Sequence, residues 1–274
     1  MKVGGQAVIE GVMMRNREKL AVAVRLENGQ IKVKKSSSKN MPKIYDKPFI
    51  RGVVGLVYML HDGIGSLVWS ANQQVEEEEK IEGKEMVFTL ITSFLLALVI
   101  FVGIPFGLAY LVSNKGFWFH VVDGVLRVVL FVGYLGAISF MKDTQRLFEY
   151  HGAEHKAVNC HESGELLCRA NARKHSRFSP RCGTSFIFIV LVLSVLLFSL
   201  IGGSWVVRLL SRVLLIPVIA GIAYELLRLG DKFKESRLMK TCIAPGLWLQ
   251  RMTTREPNDE QLEVAIRALK EVVK

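Results

Sequence analysis

Charged residues are missing from two long stretches: Met86 to Val112 and Gly183 to Val207 contain no Asp, Glu, Lys or Arg. Each is longer than the ~20 apolar residues that cross a bilayer as a helix, which excludes a single soluble core and predicts two membrane spans. Two neighbouring stretches are weaker candidates, Val121 to Met141 with Asp123 and Arg127, and Leu209 to Leu229 with Arg212, Glu225 and Arg228. Each pairs with its predecessor as a helical hairpin. The expectation is a polytopic α-helical membrane protein of about four transmembrane helices, in contact with the lipid bilayer. Residues 1–85 lack a basic start followed by an apolar stretch and a small-residue cleavage site, so no signal peptide is expected. The halves are not duplicated, which argues against a repeat-built transporter.

Acidic side chains are the minority, 25 against 36 Lys and Arg, for a net charge of +11. Such a surplus suits a nucleic-acid binder, but it also orients membrane proteins, and position decides between the two. With four spans, 32 basic residues fall on one face of the membrane and two on the other, Arg127 and Arg212 lying within spans. The positive-inside rule then places both termini and residues 142–182 in the cytoplasm, in a multi-pass protein of the cytoplasmic (inner) membrane, with no nucleic acid expected as partner.

Cysteine is scarce, with four in the chain, and three of them, Cys160, Cys168 and Cys182, lie with four of the six histidines in positions 150–182. Facing a reducing compartment, these thiols read as metal ligands, reactive groups or packing residues rather than disulfides. Cys242 stands apart and reads as buried packing. The stretch Tyr150-His151-Gly152-Ala153-Glu154-His155-Lys156 spells H-x-x-E-H. On a helix, His151 and His155 stand one turn apart with Glu154 on the adjoining face, so two imidazoles can hold one Zn²⁺ while a carboxylate takes a proton from water. The plainer reading is a helix end leaving the membrane, with His and Lys at the negative pole of its dipole. Cys182, Cys160 or Glu225 could complete the ligand shell, and His161 is a further candidate. Pro180-Arg181-Cys182-Gly183 can form a tight turn that points a thiolate back at the end of the second span.

Elsewhere the patterns are structural. Residues 3–35 read as three strands: Val8 to Met14, Leu20 to Leu26, and Ile31 to Lys34, the last two joined through Asn28-Gly29 as a hairpin. In Gly4-Gly5-Gln6-Ala7-Val8-Ile9-Glu10-Gly11, the paired glycines allow close backbone approach, while Glu10 and Arg15 can supply a ligand or ion pair. Phe49 to Asn72 carries an apolar stripe (Ile50, Val53, Val54, Val57, Leu60, Ile64, Leu67, Val68) and reads as one or two amphipathic helices in the interface. Asp123 and Arg127, at i and i+4, can pair locally. Lys232-Phe233-Lys234 suits anionic headgroups, Pro245-Gly246 reads as a turn, and Asp259 as the N-cap of a final helix with the stripe Leu262, Ala265, Ile266, Leu269. The resulting division is 1–40 sheet, 41–85 interfacial helices, 86–141 first transmembrane hairpin, 142–182 His/Cys loop, 183–229 second hairpin and 230–274 tail, which can dock on the chain itself or on a membrane or cytoplasmic protein partner.

The opening Gly4 to Arg15, the stretch Tyr150 to Lys156, Arg181-Cys182-Gly183-Thr184-Ser185-Phe186 and Thr253-Thr254-Arg255-Glu256-Pro257 together resemble the YqhQ-like family of bacterial membrane proteins. The likeness runs over nearly the whole chain. That family is catalogued as a domain of unknown function and is sometimes labelled a predicted metal-dependent enzyme, so the resemblance implies a membrane fold and names no substrate. The residues support two functions. One is a metal-dependent membrane enzyme, a hydrolase at the cytoplasmic membrane edge, with His151, His155 and Cys182, Cys160 or Glu225 as ligands of a divalent metal such as Zn and Glu154 as general base. The other is a non-catalytic, partner-binding scaffold whose central loop folds around a structural metal.

Overall fold

The computed structural model describes residues 3–16, 18–38, 42, 45–81, 83–113, 116–233 and 235–273. Lys39 and Asn40 at the end of the expected sheet region, and Lys234 of the basic patch, lie outside them. Four strands, β1 (Gly4–Val8), β2 (Gly11–Asn16), β3 (Lys19–Arg25) and β4 (Ile31–Ser37), form an antiparallel meander in chain order. The first apolar patch is therefore two strands, not one: Val8 pairs with Gly11 across a two-residue turn at Ile9 and Glu10. Glu10 takes a positive φ of 51° there, a conformation that short turns demand and side chains resist. The β3–β4 hairpin forms as expected, with Gly29 at φ 81°.

Both faces of the sheet are covered. Val12, Met14, Ala21 and Ala23 pack on one side against Tyr150, Ala153 and Ala157 and against Leu262, Ala265 and Leu269; Val8, Met13, Leu20, Val22 and Val24 face the other way, toward Trp69. This explains why Leu20 to Val24 is apolar without alternation. The first set of partners comes from α5 (Lys142–Glu162) and α11 (Asp259–Val273), the second from α1 (Ile50–Ala71). The stripe expected on the final helix is buried, but its N-cap is Asn258, whose Oδ1 accepts from Gln261 N–H at 2.9 Å while Gln261 Oε1 accepts from Asn258 N–H at 2.9 Å.

The remaining helical segments are α2 (Gly83–Leu98), a π turn (Val99–Gly103), α3 (Ile104–Val112), α4 (Gly116–Ile138), α6 (Arg169–Lys174), α7 (Gly183–Ser199), α8 (Trp205–Leu214), α9 (Ile216–Lys232) and α10 (Arg237–Thr253). Among the described residues, three helical stretches are long and apolar enough to cross a membrane, Ile50–Ala71, Gly83–Val112 and Gly116–Ile138, or four if α8 and α9, bent by 48°, count as one. The expected span Gly183 to Val207 is interrupted: α7 ends at Ser199, and α8 starts from Ser204 as N-cap after Gly202-Gly203. Pro217, in the first turn of α9, breaks the expected fourth span at Leu215, because it cannot donate to the preceding turn. No side chain of α2 is buried, and Phe88 is 71% exposed, the surface of a helix bathed in lipid.

The segment expected as one or two interfacial helices is the single helix α1, long and apolar enough to span, and its apolar stripe is not what it packs through. Its buried residues are Gly52, Gly63, Ser66 and Ser70, whereas Val57 and Leu60 are exposed. Membrane helices pack through small residues because lipid accepts the apolar ones. Its first half lies on α9, Gly52 against Tyr224, and its second half on the sheet, with Ser70 Oγ accepting from Ile9 N–H at 3.1 Å. Two further expectations fail in α10, which runs unbroken through Pro245 and leaves Cys242 exposed. Gly246 serves instead as the contact with α7, where a Cβ would stand 2.8 Å from Ser185 Oγ.

Asp123 and Arg127 do pair, at 3.2 Å, but Arg212 from α8 joins them with Nη2 2.7 Å from Asp123 Oδ2. The three side chains are at most 6% exposed, and Arg212 lies over the rings of Phe106, Phe119 and Phe198. Two guanidiniums thus share one carboxylate between helices, with aromatic faces compensating for the missing anion.

Candidate metal centre

Helix α5 carries the H-x-x-E-H stretch on the face turned to the sheet and α10, burying Glu154 and His155 and half-burying His151. Cys182, 31 positions on, caps α7, its Sγ accepting from Thr184 N–H at 3.4 Å. One donor atom each from His151, His155 and Cys182 lies within 4.8 Å of the others, and the Cys182 Sγ to His151 Nε2 distance is 3.3 Å.

The tautomers follow from what the other ring nitrogens touch. His151 Nδ1 stands 2.8 Å from Thr253 O, and His155 Nδ1 stands 2.6 Å from Arg177 O. A carbonyl oxygen can only accept, so both Nδ1 atoms carry hydrogen, which leaves His151 Nε2 facing Cys182 Sγ and His155 Nε2 facing the Glu154 carboxylate beside it. This is how metal-binding histidines are held in other proteins. Glu154 lies outside the triad of donors, its Oε2 3.4 Å from His155 Nε2 and its side chain 7% exposed. Burial opposes charge on the His155 imidazole, but the Glu154 carboxylate and Cys182 outweigh it and hold the ring above its ordinary range.

The supporting carbonyls belong to the last residue of α10 and to the non-helical segment before α7, both of which must be fixed for the site to exist. Gln250, fully buried on α10, accepts from Ser179 N–H at 2.9 Å and donates to Ser179 O and Ser185 Oγ at 2.7 and 2.9 Å. Asn159 donates to Ser176 O at 2.7 Å, and Arg177 Nη1 to Thr254 O at 2.8 Å. On the other side, Arg255 N–H donates to Phe148 O at 2.9 Å, which lays residues 253–257 across α5 at Gly152. A Cβ on Gly152 would overlap Arg255 O, so only glycine lets that segment pass. Gly5 of β1 is a second close approach: a Cβ there would stand 2.6 Å from Glu154 Oε1.

Several sequence candidates are elsewhere. Glu225 is not part of this group: it accepts from Arg51 Nε and Nη2 at 2.7 and 2.5 Å, tying α9 to α1. Cys160 is one and a half turns further along α5 and joins Glu165 and His175 instead. Glu10 is an ion-pair partner, held by Arg146, and it also accepts from Tyr150 Oη at 3.3 Å. Arg15 pairs with Asp62 at 3.1 Å. His161 lies half-buried in the last turn of α5, outside both groups. Residue-by-residue reading missed the roles of Gly152, Asn159, Gln250, Thr253 and Arg177. The only signal for them was the unexplained Thr253-Thr254-Arg255-Glu256-Pro257 run.

Residues 47–274 match the family model described as "Protein of unknown function (DUF1385)". The chain belongs to this family. It is also similar to the "Uncharacterized protein YqhQ" of Bacillus subtilis (strain 168), with 33% identity over 293 residues that cover 99% of this chain and 92% of that protein. No solved structure matches it. The matched residues of the DUF1385 family include every donor of the candidate centre and both segments that orient them.

Proposed function

We propose that this DUF1385 protein is a metal-dependent membrane hydrolase, with His151, His155 and Cys182 holding a divalent ion, Zn²⁺ by donor type, and Glu154 acting as general base. The observation that carries the reading is the orientation of the two imidazoles. Thr253 O and Arg177 O hold the two Nδ1 atoms, so that one donor atom each of His151, His155 and Cys182 converges within 4.8 Å, with Glu154 against His155 Nε2. Two nitrogens and a sulfur are a donor set that zinc accepts, and three protein ligands leave a coordination position for substrate or water. An ion bound there would supply a Lewis acid and lower the pKa of its water. Glu154, buried alongside without being one of the three donors, would take the proton of the attacking water and pass it to the leaving group. Because Cys182 caps an apolar helix and α5 follows α4 directly, the reaction would occur at the membrane edge. The basic asymmetry of the sequence supports a cytoplasmic edge, and a membrane-embedded substrate with a polar scissile bond fits it best.

A scaffold with a structural ion would instead need a closed shell of four ligands, with Glu154 as the fourth. Glu154→Gln separates the two. In anaerobically purified protein we expect it to keep wild-type metal content and abundance while failing to complement a deletion strain. Metal loss with low abundance would favour the scaffold, and full complementation would remove Glu154 as base.

A further inference from the structure

The second group of donors lies at the far end of α5. Cys160 Sγ, a Glu165 carboxylate oxygen and one ring nitrogen of His175 all come within 4.8 Å of one another. His175 Nε2 is 3.3 Å from Glu165 Oε1 and 3.4 Å from Ser163 Oγ, so this nitrogen faces the group. Cys160 is fully buried, and among the described residues its thiol has Leu166 O as its hydrogen-bond partner, at 3.8 Å. The three residues are therefore converging for a reason their hydrogen bonds explain poorly. The segment that brings them together is also poor in core. Between Ser163 and Ser176, Ala172 is the one fully buried apolar residue among those described, Leu166 is 78% exposed, and α6 has six residues, fewer than a helix needs to hold itself in water.

The geometry points to a structural zinc site formed by Cys160, Glu165 and His175, with Cys168, the N-cap of α6, as the residue available to close the shell. Sulfur, imidazole nitrogen and carboxylate oxygen are zinc donors, and four of them within a 16-residue stretch would fasten α6 and the connecting loop to the end of α5. Binding would displace the thiol proton; burial and the nearby Glu165 and Cys168 push the Cys160 thiol up, so the unliganded sulfur stays protonated and packed. The Glu165 side chain, 45% exposed, leaves a path for the ion to enter. The fastened segment continues directly into Arg177 and Cys182, so this site would hold in register the groups that orient His155 and complete the first one. It is separate from the proposed catalytic centre, lying about 7 Å further along α5 by helical rise from His155 to Cys160.

The test is elemental analysis of the full chain, purified anaerobically in detergent. We expect Cys160→Ser/His175→Ala to lower zinc by one equivalent, and His151→Ala/His155→Ala to leave that equivalent in place. Wild-type stoichiometry in Cys160→Ser/His175→Ala, or a zinc-free wild type, overturns the site. If wild type holds a single ion, its loss in Cys160→Ser/His175→Ala together with its retention in His151→Ala/His155→Ala supports this site and removes the first, and its loss in His151→Ala/His155→Ala overturns this site. Should the double variants fail to fold, Co²⁺ titration of Cys182→Ser provides a second reading. A sulfur-to-cobalt charge-transfer band that disappears on adding Cys160→Ser is expected, and no such band overturns the site.

Discussion

Replacing Gly152 by alanine would ordinarily strengthen α5, since alanine is favoured over glycine inside a helix by about 1 kcal/mol. Here the opposite is expected. The added Cβ would collide with the backbone carbonyl of Arg255, and Pro257 Cδ, 3.4 Å away, blocks escape on the other side. Backbone cannot swing aside as a flexible side chain can, so residues 253–257 must lift off the helix. Three hydrogen bonds depend on their position: Arg255 N–H to Phe148 O at 2.9 Å, His151 Nδ1–H to Thr253 O at 2.8 Å, and Arg177 Nη1 to Thr254 O at 2.8 Å. At about 1 kcal/mol each, their loss outweighs the helix gain and leaves a net cost of about 2 kcal/mol. For a chain of this size that lowers Tm by roughly 4–8 °C. Freed from Thr253 O, His151 would also lose its orientation, and metal affinity should fall by about 10- to 100-fold. Thermal unfolding in detergent and competition titration with a chelator measure the two effects. Gly133→Ala in α4, where a Cβ meets nothing within 4 Å, is the control expected to be neutral or stabilising. Gly152→Ala with wild-type Tm and wild-type metal affinity would refute the claim that residues 253–257 orient the site.

Asp123→Asn should cost about 3–5 kcal/mol in a detergent unfolding assay, because it leaves Arg127 and Arg212 buried without a counter-charge, whereas Arg212→Met leaves a one-to-one pair and should cost less. Equal costs would mean that the aromatic rings, not Asp123, neutralise the cluster. For topology, reporter fusions should place Ser113 outside and Ala170 in the cytoplasm; an external Ala170 would reverse the sidedness drawn from the basic residues and remove the argument that the thiols are reduced.

The sequence alone determined what local chemistry dictates. The uncharged run Met86 to Val112 announces a membrane helix whatever it packs against, although the run Gly183 to Val207 is broken after Ser199, and Asn28-Gly29 between two apolar strands can do little except turn. The spacing of His151, Glu154 and His155 puts them on neighbouring faces of one helix by rise and twist alone, and the turn before Gly183 was enough to suggest Cys182 beside them. Other features depended on partners far away in the chain. The α1 stripe was legible, but the packing face formed by Gly52, Gly63, Ser66 and Ser70 was not, because apolar periodicity does not mark the small residues through which a membrane helix packs. Cys160 and Cys182 are alike as letters; only the reach of α5 and the path of residues 163–182 send one to His175 and the other to His151. Glu225 looked like a ligand until Arg51, 174 positions earlier, arrived to pair with it. The atoms that turn both imidazoles inward are backbone carbonyls, which every residue carries, so no side-chain pattern marks them. Their placement was decided by tertiary contacts at Gly152, Asn159 and Gln250, where the absence of a Cβ or the presence of one amide fixes the course of a whole segment.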